Sequence, residues 1–431
     1  MKNKFIKSTI ILIIGGIITK LLGMIIRITL TRLLKDGIFI YSLIMPTFSL
    51  FIAIAQAGMP STISKLVAEE KRNNKNLVFS IIPISLLINS VIMIIIIISS
   101  KYIATYLLHN TYTYYPIMCI SFVLPFISIS SILRGYFFGK QMMFPHILSN
   151  AVEDIIRLIT LIIGIPIFLK YSIIHAVSFV VLSNIISEIT SILVLFIFTP
   201  KTFKLRKEDF KINKEYIKDT FSIAVPTTAS RIIGNIGYFL EPIILTYMLL
   251  NNGYDNTYIV REYGIINSYV LPMLLLPSFF TNAISSALIP IISTYYVNKK
   301  ILLVKKRIKE AIIFSLIVSL PVILFLFLFP SIPLKVIYRT NLGIDYLKVL
   351  SLIFIFSYVQ APIISAIQAM GYAKKSLNGT IIGVLSRNIF LIIFAYFNNG
   401  IYSLIYALSL SIIITTIYDI KVLKNIIKKG S

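Results

Sequence analysis

The sequence predicts an all-α polytopic membrane protein, with about 12 transmembrane helices in two pseudo-symmetric bundles of six. Three observations predict it. Hydrophobic residues are 57% of the 431 and charged residues only 13%, whereas a soluble domain carries roughly 25% charged residues. The apolar residues gather into long runs, and a bilayer core of about 30 Å needs roughly 20 such residues per helix. The basic residues crowd into alternate segments between the runs, as membrane topology requires.

The runs lie near 8–34, 37–67, 78–100, 115–133, 147–169, 172–198, 220–250, 264–296, 311–330, 346–370, 377–397 and 400–420. The first follows the basic stretch Met1–Lys7, which imitates a signal peptide. No small-x-small site closes it, Lys20 interrupts it and apolar character resumes to Leu34, so it reads as an uncleaved first helix. The second and eighth runs are long and contain Pro46, Pro60, Pro272, Pro277 and Pro290, where kinks or breaks are expected. The longest polar stretch, 200–219, follows the sixth run. It divides the chain into an N-terminal lobe, 1–199, a basic linker, 200–219, and a C-terminal lobe, 220–431, with a short basic tail.

With the N-terminus inside, the inner segments hold 28 of the 41 Lys and Arg residues and the outer segments 8. This places both termini in the cytoplasm and requires an even helix count. The net charge of +25 is therefore read as topology signal and contact with anionic lipid headgroups, with no nucleic acid as partner. The halves also look related. Thr19-Lys20-Leu21-Leu22-Gly23 matches Ser230-Arg231-Ile232-Ile233-Gly234, Gly37…Pro46 matches Gly264…Pro272, Pro125 with Gly135-Tyr136 matches Pro362 with Gly371-Tyr372, and Arg157 matches Arg387. Two six-helix halves of like orientation imply parallel repeats, with a substrate site between them.

Nine ionisable residues fall well inside the runs, away from their ends: Lys20, Arg27, Glu153, Asp154, Arg157, Glu188, Arg231, Glu241 and Arg387. Each costs about 2.5–3.5 kcal/mol at a helix centre facing lipid, so all must pair or line water. Gly16, Lys20, Gly23, Arg27 and Thr31 share one helical face. Two cations two turns apart, with no acid on their helix, point to a cavity wall aimed at an anion; the alternative is that they pair with acids on other helices, or that Arg27 snorkels to the outer interface. Arg231 and Asn235 repeat the theme in the seventh run. Glu241, before Pro242, is a candidate gating or ion-coupling carboxylate or else a partner for a base. Glu153 and Asp154 lie i,i+4 and i,i+3 from Arg157 and are expected to pair with it. Glu188 and Arg387 have no local partner, and pairing across helices is expected for both.

No nucleotide-binding loop, HExxH motif or Cys/His cluster occurs among the single cysteine and three histidines, so no enzyme activity, cofactor, metal or nucleotide is expected. The stretch Thr19–Gly23 through Arg27 to Leu33-Leu34, together with Gly58-Met59-Pro60-Ser61-Thr62-Ile63-Ser64-Lys65-Leu66-Val67-Ala68-Glu69, resembles the multidrug/oligosaccharidyl-lipid/polysaccharide flippase superfamily. Within it the chain looks closest to the stage V sporulation protein B and polysaccharide biosynthesis branch, whose relatives include the lipid II flippases. The resemblance is specific over roughly the first 75 residues; beyond them it is the helix pattern and Arg231.

That resemblance implies a V shape like that of the MATE transporters, with a central cationic cavity in a bacterial plasma membrane. It implies an undecaprenyl-pyrophosphate-linked saccharide, such as a peptidoglycan precursor, as substrate. Lys20 and Arg27 then match the basic positions of the family's first helix, and Arg231 that of its seventh. Many members carry two further C-terminal helices where 12 are counted here. The expected function is transfer of a lipid-linked anionic saccharide to the outer leaflet by alternating access. The alternatives are a cation-coupled multidrug extruder, which usually has a carboxylate in helix one, and a non-transporting scaffold in cell-wall or spore assembly.

Overall fold

The computed structural model describes residues 2–69, 73–199 and 214–430; most of the linker at 200–219 therefore lies outside the described residues. Among those described there are helices and no strands. They are α1 (Lys2–Leu33), α2 (Gly37–Ala68), α3 (Asn74–Leu107), α4 (Thr111–Gly139), α5 (Met143–Leu169), α6 (Ile173–Ile197) and α7 (Lys214–Asn251). Then follow α8 (Asn256–Leu274), α9 (Ser278–Val297), α10 (Ile301–Leu328), α11 (Ile344–Ala369), α12 (Ala373–Tyr396) and α13 (Tyr402–Gly430). α8 and α9 meet at a bend of 52°; counted as one element, they leave 12 helical stretches, each overlapping one of the 12 runs read from the sequence. Among the described residues nine helices are long and apolar enough to cross a membrane, ten if the bent pair is one span. Among those outside that set is α5, whose apolar stretch carries Glu153, Asp154 and Arg157.

Breaks occur in both proline-rich spans, though not at every proline. In α2 the helix is interrupted at Ala57 and Gly58, both left-handed, and restarts with Pro60 in its first turn. Pro fits there because the first-turn N–H has no helical partner. The bend between α8 and α9 falls at 275–277, beside Pro277. Pro46 and Pro290 stay inside continuous helix.

The chain forms two compact units, 1–239 and 240–431, and the division falls within α7. In the first unit Met59, Ile63 and Val67 of α2 pack with Leu77 and Ile81 of α3, Ile132 and Phe137 of α4, and Ala224 of α7. Gly135 and Gly139 make this contact possible. A Cβ on either would lie 2.8 Å from the Pro60 carbonyl oxygen or 2.6 Å from that of Ser64. In the second unit Leu288 and Ile292 of α9 pack with Val304 and Ile308 of α10, Ile363 and Ile367 of α11, and Val422 and Ile426 of α13.

Element by element the two halves correspond. A π-helical turn at Ile103–Leu107 precedes left-handed His109, and one at Leu334–Tyr338 precedes left-handed Arg339. Left-handed Gln141 precedes α5 as left-handed Gly371 precedes α12. Arg157 and Arg387 then stand at the same position of α5 and α12. The pairing of Gly135 with Gly371 drawn from sequence is corrected here. Gly135 is a contact glycine inside α4, whereas Gly371 occupies the turn with φ +90°, where a residue without Cβ is favoured.

Candidate functional site

Three sectors run along α1. Gly15, Ile26 and Leu30 are buried, and Gly15 faces Ile147 of α5. Ile17, Ile18, Leu21 and Ile25 are exposed and suit lipid. Between these sectors lies the basic stripe. Lys20 and Arg27 are both exposed, and a Cβ on Gly16 or Gly23 would meet nothing within 4 Å. The open face is therefore continuous over two turns, about 10 Å. It closes at Thr31, which is buried and whose Oγ1 donates to the Ile28 carbonyl at 2.8 Å. Lys20 stands at the middle of the apolar run, where an exposed cation facing lipid is costly. The stripe must therefore face water or an anion.

The corresponding part of α7 is also open. Arg231 is exposed and Gly234 has free space over its Cα. The half-buried Asn235 donates its Nδ2–H to the Arg231 carbonyl at 2.9 Å.

The remaining intramembrane charges are tied to one another. In the first unit the hub is Arg134 of α4. Its guanidinium pairs with Glu153 of α5 and, at 3.4 Å, with Glu188 of α6, and it donates to Ser191 Oγ at 2.9 Å. Asp154 feels both Arg157 and Arg134 electrostatically. The i,i+4 spacing favours a Glu153–Arg157 pair, but the structure gives the Glu153 carboxylate to Arg134 instead. The long Arg134 side chain on the neighbouring helix reaches it in direct contact. Arg134 escaped the sequence reading because α4 runs to Gly139, beyond the apolar run ending near 133, so this arginine was counted as a cytoplasmic topology signal.

In the second unit Glu241 of α7, 0% exposed, pairs with Arg387 of α12. From the sequence Arg387 is expected to pair across helices and Glu241 is either a gating or ion-coupling carboxylate or a partner for a base; the structure makes them each other's partner. A second buried acid was missed. Asp419 of α13 is buried and accepts from Gln360 Nε2 at 2.8 Å; it sits at the edge of the last apolar run. Among the described residues no group of three or more His, Cys, Asp or Glu is placed to hold a metal.

A multi-helix membrane fold with an open cationic face on its first helix defines a class, the membrane transporters and flippases. The chain belongs to the polysaccharide biosynthesis protein family, whose model matches residues 5–296; the MatE family model matches residues 266–394. Stage V sporulation protein B of Bacillus subtilis (strain 168) is 32% identical over 90% of this chain and 77% of its own length. Lipid II flippase MurJ of the same organism is 22% identical over 90% of this chain and 76% of its own. Among solved structures, the inward-facing conformation of a multidrug resistance MATE family transporter of the MOP superfamily superposes with a TM-score of 0.79. It covers 96% of this chain and 95% of its own at 16% identity. The shared fold and family make this a multi-pass membrane transporter of that superfamily.

Proposed function

We propose that the protein is a flippase that carries an undecaprenyl-pyrophosphate-linked saccharide from the inner to the outer leaflet of the plasma membrane, with both termini cytoplasmic. The observation that carries the reading is the open face of α1, where Lys20 and Arg27 stand exposed across the middle of a membrane span. A pyrophosphate carries charge that must be stripped of water to cross. Charge-assisted hydrogen bonds from ammonium and guanidinium groups replace part of that hydration. Arg231 on α7 extends the cationic set, and Asn235 offers its carbonyl oxygen as an acceptor for sugar hydroxyls. The polyprenyl chain remains in lipid while only the headgroup moves. An inside-negative potential assists outward movement of an anion by about 2.3 kcal/mol per charge per 100 mV.

The names of the relatives support the substrate class: one similar protein is a lipid II flippase and another a sporulation protein. Glu241 is held by a resident guanidinium, which favours a fixed ion pair over an empty ion-coupling site. A cation-coupled drug extruder is less well served by α1, which offers a cationic solute two positive charges and no carboxylate. The test is reconstitution in vesicles with labelled lipid II and, separately, with a cationic dye. Translocation of the lipid-linked sugar, lost in Lys20→Ala and Arg27→Ala, supports the reading. Dye efflux driven by an ion gradient, with no lipid-linked substrate moved, overturns it.

A further inference from the structure

Asp419 plays no part in the cationic face or in the two ion-pair systems. It lies in α13, in the stretch Tyr402–Lys428 that is long and apolar enough to cross a membrane, and is 1% exposed. Three helices of the second unit close around it. Gln360 of α11 donates to its Oδ2 at 2.8 Å. Its Oδ1 is buried without a hydrogen-bond partner and rests on Gly379 of α12, where a Cβ would come within 2.7 Å of it. The glycine thus leaves a space that the carboxyl group fills.

The charged groups on the surrounding helices do not neutralise it. On α12 the Lys375 ammonium lies 4.9 Å from the centroid of the Tyr372 ring and Lys374 is exposed. On α10 Arg307 is paired with Glu310 at 2.7 Å, while Lys305, Lys306 and Lys309 are exposed. On α13 itself Lys421 and Lys424 are exposed. Among the described residues none of these makes an ion pair with Asp419. The contrast with Glu241, which has its own arginine, is direct.

An ionised carboxylate in such a place, with one neutral donor, is very costly. Buried charges are found paired, or they are neutralised. A proton on Oδ1 removes the charge with no rearrangement. We propose that Asp419 is a proton-binding site, occupied in the conformation seen here. Loss of the proton requires the carboxylate to reach water, which draws α13 away from Gly379 of α12. On the flippase reading, which this role rests on, exchange of that proton couples the sugar-carrying cycle to the pH gradient.

The test uses the full-length protein in phospholipid vesicles, without substrate, and infrared difference spectra recorded as the pH is raised. The wild type should lose the carbonyl stretch of a protonated carboxyl group, and Asp419→Asn should lack that component. Gln360→Met, which removes the one donor to the ionised form, should move the midpoint to higher pH. It serves as the second variant should Asp419→Asn fail to fold. Identical spectra for wild type and Asp419→Asn, or an unmoved midpoint in Gln360→Met, overturn the proposal. So does loss of the band on adding sodium at fixed pH, which would mark a metal-cation site. Translocation of lipid-linked sugar without the Asp419 band sinks this inference and leaves the flippase reading. The band without such translocation does the reverse.

Discussion

Replacing Arg387 with Met removes the cation paired with Glu241. The acid is 0% exposed and the arginine side chain 25% exposed, so little solvent screens the pair. Breaking a buried ion pair by removing one partner costs about 3–5 kcal/mol, since the other charge is left uncompensated. That is a drop of about a hundred- to several-thousand-fold in the folding equilibrium. The assay is the thermal midpoint and the yield of monodisperse protein in mild detergent. Arg387→Met should lower both sharply. The double variant Glu241→Gln/Arg387→Met, which removes both charges, should recover most of the loss, because a buried ion pair is often replaceable by uncharged groups at little net cost. A stable single variant, or a double variant as unstable as the single, would refute the claim that the pair is a closed structural unit.

Other expectations follow from the same structure. Arg134→Met should destabilise the first unit by a comparable amount, because two carboxylates, Glu153 and Glu188, lose their shared partner; adding Glu153→Gln and Glu188→Gln should restore folded yield. Gly139→Leu should lower the thermal midpoint far more than Gly16→Leu, since a Cβ at 139 strikes the Ser64 carbonyl while the space beside Gly16 is open. Cys119 is buried, so the native thiol should resist maleimide in the folded protein. With it replaced, single cysteines at 299–309 should label only from the cytoplasm and a cysteine at Asn398 only from outside. Labelling of 299–309 from outside would reverse the orientation.

The all-helical membrane fold was legible because helix length and apolarity are local properties. So was the break in α2, where Gly58-Met59-Pro60 carries both a left-handed residue and a proline suited to a first turn. Partnership among charges was not legible, because it is set by helix packing. Sequence spacing favours Glu153 with Arg157, yet α4 brings Arg134 closer. Glu241 and Arg387 are 146 positions apart and meet only through the approach of α7 to α12. Helices that outrun their apolar cores hid two residues, Arg134 at the end of the fourth run and Asp419 at the end of the last. The basic stripe of α1 was readable from its spacing, while its closure at Thr31 depends on the neighbours of that turn.

On the flippase reading, the open face of α1 carries an anionic headgroup across the membrane. The direct measurement is the rate at which a labelled polyprenyl-pyrophosphate-linked saccharide, loaded in one leaflet, becomes accessible to an impermeant quencher in the other. It is made with wild type, Lys20→Ala, Arg27→Ala and Arg231→Ala reconstituted at equal folded amount. The account predicts protein-dependent movement in the wild type, faster with the potential negative on the donor side, and little or none in the three variants. Movement as fast in Lys20→Ala and Arg27→Ala as in the wild type would contradict it.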